Sequence, residues 1–295
     1  MPKPFKRIGL IGKHTNPEVQ STFGHLIPIL THRKIQITLE TELAQLLPLE
    51  QRAIAHIVPE NELSKHADLI IVVGGDGSIL HAARSVVQDN VPVIGINRGR
   101  KGFLTDISPQ ALNNELTPIL AGEYNQELRF LITLGIERQG EIISNSLALN
   151  DIVLHSGDIA RMLSFEVMID GQFVYKQHSD GMIIATPTGS TAHALAGGGP
   201  ILHPSLSAMV LVPMQPHTLS SRPIVIDSNS TVTLTIPSEN TPLPHVSCDG
   251  QVYLRTEPND KLHIKRAKET LRLLHPKNYD YYNTLRTKLG WSRER

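Results

Sequence analysis

Gly74, Gly75, Asp76 and Gly77 are the residues in this 295-residue chain whose types and spacing point most directly to chemistry. They follow the apolar run Leu69-Ile70-Ile71-Val72-Val73. They precede Ser78 to Val87, where Ile79, Leu80, Ala82, Ala83, Val86 and Val87 form one broad helical stripe. Glycine has no Cβ, so backbone amides in such a loop can approach a phosphate closely and the chain can turn through positive φ. A helix start adds partial positive charge, which favours phosphate oxygens and an ionised Asp76. A carboxylate so placed can take a proton from a hydroxyl nucleophile or orient Mg²⁺. The same four residues also suit a tight strand–helix turn with Asp76 as a helix cap, so alone they leave both readings open.

A second cluster runs Thr186-Pro187-Thr188-Gly189-Ser190-Thr191-Ala192-His193, followed by Gly197-Gly198-Gly199-Pro200. Hydroxyls and flexible backbone donors in this density suit ribose and phosphate oxygens without a net positive charge; any half of the segment could instead be a hydroxyl-capped helix start. Asn150-Asp151 interrupts the apolar run from Leu147 to Leu154, and a buried amide and carboxylate in a strand are costly unless partnered. They therefore pair internally or bind a polar ligand. Asp180-Gly181 and Asp249-Gly250-Gln251 read, on their own, as turns.

Other chemistries lack their residues. No G-x-x-x-x-G-K-[ST] occurs, since Gly9 to Thr15 has the wrong spacing, and no G-x-G-x-x-G occurs either, so a nucleotide must be held another way. Fourteen histidines show no H-E-x-x-H or comparable metal spacing and are expected mostly on the surface or in loops. The single Cys248 rules out an internal disulfide framework and reads as a small buried hydrophobe. Tyr279, Tyr281, Tyr282 and Trp291 read as packing or subunit contacts.

The elements that must position these residues fall into two groups. To about residue 120 strands and helices alternate: Arg7 to Gly12, Val19 to Leu30, Lys34 to Leu39, Asp68 to Val73, Ser78 to Val87 and Val91 to Ile96. Continuous apolar strands separated by helices predict a doubly wound parallel sheet, with ligands at the carboxyl ends of its strands. Near Tyr124 the character changes to strand-rich runs, with Asp170-Gly171 reading as a hairpin turn and the prolines at 213, 216, 223, 237, 242 and 244 excluding long helices. The expected organisation is an α/β domain over residues 1–124 carrying the glycine loop, a β-rich domain over 125–275, and a tail over 276–295 that packs back on the first. Hydrophobic residues at 40% provide core. Twenty-eight basic residues balance twenty-eight acidic ones, which argues against nucleic-acid or anionic-membrane partners. No stretch approaches the roughly 18 apolar residues of a membrane helix, and the apolar run Ile8 to Gly12 is too short for a signal peptide. A cytoplasmic location is expected.

Taken together and in order, these motifs resemble bacterial NAD kinases. The resemblance rests on Gly74 to Gly77, the run from Gly95 to Asp106, Asn150-Asp151, Ser179-Asp180-Gly181, Thr186 to Ala192, His217 to Pro223, Cys248 to Gln251 and Lys288 to Trp291, so it covers nearly the whole chain. A GGDG alone is shared with phosphofructokinases and diacylglycerol-type lipid kinases; the Thr186 string combined with Asn-Asp is not. The resemblance implies a two-domain fold like that of NAD and diacylglycerol kinases, and transfer of the ATP γ-phosphoryl group to the 2′-hydroxyl of the adenosine ribose of NAD, giving NADP. Asp76 would then be the general base or orienting carboxylate, with Gly74, Gly75 and Gly77 as the phosphate loop. NAD would be held by Asp76, Gly77, Asn150, Asp151, Arg161, His178, Asp180, Thr188, Gly189, Ser190, Thr191, Ala192, His193 and Gln251. Mg²⁺ or Mn²⁺ would accompany ATP through ligands the sequence leaves unknown, and the chain would form a homo-oligomer, a dimer or tetramer. His193 stands where the family usually has tyrosine, Lys101 replaces an apolar residue, and position 178 varies between members. Two alternatives stay open: a kinase of another hydroxyl acceptor such as a lipid, disfavoured by the lack of a membrane-binding stretch, and a non-catalytic NAD or NADP sensor, disfavoured by Asp76.

Overall fold

The computed structural model describes residues 4–12, 17–98, 102–157, 162–218, 220–240 and 243–291. The chain forms two compact units, one comprising Met1–Leu128 and Leu271–Arg295 and the other Arg129–Thr270.

The first unit alternates strand and helix: β1 (Arg7–Gly12), α1 (Pro17–His32), β2 (Gln36–Glu40), α2 (Thr41–Leu46), α3 (Leu49–Ala53), β3 (Ala55–Val58), β4 (Leu69–Gly74), α4 (Asp76–Val86), β5 (Val93–Asn97) and α5 (Thr117–Leu120). Its five strands are all parallel in the order β3-β2-β1-β4-β5. The direction of winding reverses between β1 and β4, and in such sheets ligands bind beyond the carboxyl ends of the strands at that switch point. Gly74 ends β4 there. All six residues of β4 are buried, as its unbroken apolar run requires of a central parallel strand. Leu10, Phe23, Leu26, Ile71, Val73 and Ile94 share one core. Each such side chain contributes about 1.5–3 kcal/mol relative to exposure.

The second unit is built from β6 (Asn125–Arg138), β7 (Glu141–Ala148), β8 (Asp151–His155), β9 (Leu163–Ile169), β10 (Gln172–Ser179), β11 (Gly181–Ala185), α6 (His193–Ala196), β12 (Ala208–Met214), β13 (Ile224–Asp227), β14 (Val232–Thr235), β15 (His245–Cys248), β16 (Val252–Arg255) and β17 (Lys261–His275), with the unit limits falling inside β6 and β17. One six-stranded antiparallel sheet has the order β13-β12-β11-β8-β15-β16. The other contains β10-β9-β14-β17 and the β6–β7 hairpin. Inward residues of both, among them Ile152, Ile184 and Leu211 from one and Phe165, Val167 and Leu234 from the other, meet in a single core, the arrangement of a β-sandwich. Asp170 and Gly171 turn from β9 to β10 with φ of 52° and 78°, the left-handed pair that a two-residue hairpin demands.

After β17 the chain ends in α7 (Tyr281–Leu289), whose Asp280 side chain caps the helix by accepting from Tyr282 N and Asn283 N. The expected fold class, an α/β domain followed by a β-rich one, is the one observed. No helix among the described residues is long and apolar enough to cross a membrane.

Candidate active site

In the first unit the glycine loop closes the carboxyl end of β4. Gly75 is the helix N-cap and supplies no side-chain bond, while Asp76 opens α4 as its first residue. The capping alternative therefore does not hold, because the carboxylate turns away from its own helix. Asp76 Oδ2 accepts from Phe103 N at 2.8 Å, and Oδ1 accepts from Leu104 N at 3.0 Å and Thr105 Oγ1 at 3.3 Å. The segment supplying these donors follows β5 and returns beside it, with Asn97 N donating to Ile107 O and Ile107 N to Gly95 O. Gly102 N donates to Thr105 O and closes the turn. Glycine is required at 102 because a Cβ there would overlap Asp76 Oδ1 and lie 2.5 Å from its Cγ.

Two further groups stand at this end of the sheet. Asn97 pairs in register with Gly74, is 3% exposed, and its Oδ1 is buried without a partner. Arg98 donates its backbone N to Gly74 O at 2.8 Å, and its Nε is likewise buried without a partner. Orphaned buried polar atoms are uncommon. Beyond their place in the family run from Gly95 to Asp106, sequence reasoning gave neither residue a role, although their position at the end of a buried strand was the available signal.

The second unit brings three sequence motifs together. The reading of Asn150 as part of a strand is corrected, while Asp151 does lie in one: Leu149 and Asn150 form a bend between β7 and β8, and Asp151 begins β8. The backbone leaves the strand there because side chains take over its hydrogen bonds. Asp249 accepts from Leu149 N (3.1 Å), Asn150 N (2.7 Å) and Asp151 N (3.3 Å), and its own N donates to Asp151 O. On the carbonyl side, Thr186 Oγ1 donates to Leu149 O at 2.6 Å and Thr186 N to Asn150 O at 2.8 Å. A Cβ on Gly189 would overlap Asn150 O, so glycine is required there too. With the Asn150 backbone committed on both sides, its side-chain Oδ1 remains buried and without a partner. Asp151 is 4% exposed, and burial first, then the charge of Asp249, pushes its carboxyl up to about 7. Asp249 sits in a turn, as read from sequence, at φ 54°; its clamp on the bend was missed because a Cys-Asp-Gly string carries no sign of a partner so far away.

The hydroxyl-rich string has divided roles. Ser190 is fully buried; its Oγ donates to Pro187 O at 2.7 Å and accepts from Leu202 N at 2.9 Å, so it shapes the loop. Thr188 Oγ1 accepts from the buried Arg129 at 3.3 Å, and Thr191 Oγ1 donates to Thr188 O. Ala192 and His193 are exposed, and His193 opens α6. With Asp180 and Gly250, His193 lines a cavity of about 570 Å³, within the range of small-molecule pockets. His178 is exposed on β10, and Gln251 is exposed with its N donating to Cys248 O. Gly77 is exposed in the first turn of α4. Arg161 and Lys101 lie outside the described residues. Among the histidines, His275 is an exception to surface placement, being fully buried. Cys248 is free and buried, as its type suggested. Among the described residues no group of three or more His, Cys, Asp or Glu could hold a metal ion.

Comparison with known proteins bears on both units. Residues 8–124 match the model of the ATP-NAD kinase N-terminal domain, and residues 149–275 that of the ATP-NAD kinase C-terminal domain. The NAD kinase of Tolumonas auensis is 51% identical over 295 residues, covering 100% of this chain and 99% of its own. That of Marinomonas sp. strain MWYL1 is 50% identical over 287 residues, 97% of each chain. Among solved structures, an NAD kinase from Archaeoglobus fulgidus in complex with ATP is 25% identical with a TM-score of 0.74, covering 96% of this chain and 98% of that one. Yeast NADH kinase complexed with NADH shares the fold with a TM-score of 0.90 at 23% identity, covering 99% and 90%. On these matches across nearly its full length, the chain belongs to the ATP-NAD kinase family.

Proposed function

We propose that this chain transfers the γ-phosphoryl group of ATP to the 2′-hydroxyl of the adenosine ribose of NAD, and that Asp76 accepts or orients the hydroxyl proton. The observation that carries this reading is the way Asp76 is held. A carboxylate has about four acceptor sites. Oδ1 uses two on Leu104 N and Thr105 Oγ1, and Oδ2 uses one on Phe103 N, which leaves one acceptor site on Oδ2. A carboxylate so fixed meets an incoming hydroxyl without reorganising, and in phosphoryl transfer positioning and charge stabilisation supply most of the acceleration.

Gly74, Gly75 and Gly77 bring backbone donors to the ATP phosphates at the start of α4. Asn150, through its buried Oδ1, and Asp151 hold NAD with Arg161, His178, Asp180, Thr188, Gly189, Thr191, Ala192, His193 and Gln251; Ser190 contributes through the loop it ties down. Mg²⁺ or Mn²⁺ bound with ATP would neutralise charge on its β- and γ-oxygens. The residues present fit such an ion: it takes most of its ligands from phosphates and water, and the orphaned Asn97 Oδ1 beside Gly74 is an oxygen donor of the kind it accepts.

Exposed Ile142 and Ile143 on β7 and Phe173 on β10, 51%, 49% and 62% accessible, support assembly into a homo-oligomer through the β-rich unit. The balanced charge supports small-molecule rather than nucleic-acid partners. The lone buried thiol suits the reducing cytoplasm.

The test is a coupled assay for NADP formed from NAD, ATP and Mg²⁺, run beside Asp76→Asn. The substitution should abolish turnover and leave most NAD affinity in place; near-normal NADP production by the variant would remove Asp76 from this role.

A further inference from the structure

The loop that holds Asp76 is anchored a second time, at its far end. Asp106 directly follows the three donors Phe103, Leu104 and Thr105, and its Oδ2 lies 2.9 Å from Nδ1 of His275, the last residue of β17. His275 is fully buried. Its Nε2 is 3.5 Å from Glu127 Oε2, and its ring stacks on Tyr279 with centroids 3.9 Å apart and planes 13° from parallel. These residues all belong to the first unit. From this geometry we infer that His275 is a positioning residue for Asp76, acting through Asp106 and the backbone of Phe103 to Thr105.

The pair is costly to keep. Burial alone would favour a neutral imidazole, but the hydrogen bond to Asp106 and the negative charges of Asp106 and Glu127 reverse that and raise its pKa above the ordinary 6.5. A buried polar pair of this kind stabilises little compared with an apolar replacement, so specificity of geometry is the natural reason to retain it. The geometry at stake is local. Between the Gly102–Thr105 turn and the return at Ile107, Leu104 and Thr105 pack close on Gly95 of β5, and the hydrogen bonds that Phe103 to Asp106 make with side chains run to Asp76 on one side and His275 on the other. Misplacement of a reacting group by about 1 Å can cost about a hundredfold in rate.

The inference rests on Asp76 acting at the hydroxyl, so Asp76→Asn is run alongside. His275→Phe keeps the ring stack and the volume but removes the link to Asp106. Asp106→Leu removes the link from the other side should the first variant fold poorly, and Asp106→Asn keeps an acceptor for His275. Measured on the full chain are kcat and KM for NAD in the NADP-formation assay, NAD affinity by calorimetry, and thermal unfolding. The expected result is a fall in kcat of about 10- to 100-fold in His275→Phe and Asp106→Leu, with KM and NAD affinity within about threefold, and recovery of about tenfold in kcat in Asp106→Asn over Asp106→Leu. Wild-type kcat in the folded variants would overturn the inference and leave His275 as an anchor for the tail. So would a loss that only tracks the unfolded fraction, or no difference between the two Asp106 variants. Activity surviving in Asp76→Asn would overturn the reading beneath it, and that control alone would report it.

Discussion

Asp151→Asn should make the protein more stable, by an amount that grows as pH rises from about 4 to about 7 and is largest at neutral and alkaline pH. Asp151 is 4% exposed on the first residue of β8, with its carboxyl raised from 3.8 to about 7 by burial and then by the charge of Asp249. The native state therefore keeps a proton that the unfolded chain gives up near its ordinary pKa of 3.8. Stability falls as pH rises through that interval and levels off above about pH 7. At about 1.4 kcal/mol per pH unit, the charged side chain costs up to about 4 kcal/mol above pH 7. Asparagine has the same shape and carries no charge at any pH, so its advantage should grow by about 3 kcal/mol between about pH 4.5 and about pH 8. Urea unfolding of both proteins at each pH measures this, because titrating groups that do not interact with Asp151 cancel in the difference. A difference that does not change with pH, or one that shrinks as pH rises, would refute the burial argument.

Three other substitutions follow from the geometry. Gly102→Ala pushes a methyl into the Asp76 carboxylate and should lower kcat at least about tenfold with little change in thermal midpoint; full activity would mean the loop yields freely. Asp249→Ala leaves Leu149 N, Asn150 N and Asp151 N without their acceptor and should cost about 3 kcal/mol in chemical denaturation, partly offset by relief of Asp151, whereas a loss below about 0.5 kcal/mol would show that water replaces the clamp. His193→Tyr places an aromatic ring on the cavity that His193 lines and should tighten NAD binding by about 1 kcal/mol in calorimetry; unchanged or weaker binding would mean that no ring contact forms there.

Much of the scaffold was legible in the residues because its signals are local. A six-residue run such as β4 reads as a central parallel strand without knowledge of its neighbours, and Asp170-Gly171 reads as a hairpin because two left-handed residues are needed there. The placement of Gly74 to Gly77 at a strand–helix junction followed in the same way. Asn150 was misplaced for the converse reason: its neighbours are strand-like, and the groups that bend the chain come from Thr186 and Asp249.

Residue patterns alone marked many of the strands and helices, though not β3 or β12, together with the glycine loop and its carboxylate and the motif string of the family. What those groups touch emerges only in the folded chain. The donors to Asp76 lie 27 to 29 residues on, the clamp on Asn150 lies 99 residues away, and the partner of Asp106 lies 169 residues away. Periodicity and turn chemistry act over a few residues and leave their mark in the string. Desolvation, charge pairing and hydrogen-bond acceptance depend on distance in space, so the raised pKa of Asp151, the single open acceptor site on Asp76 and the buried His275 pair exist only once the chain has folded.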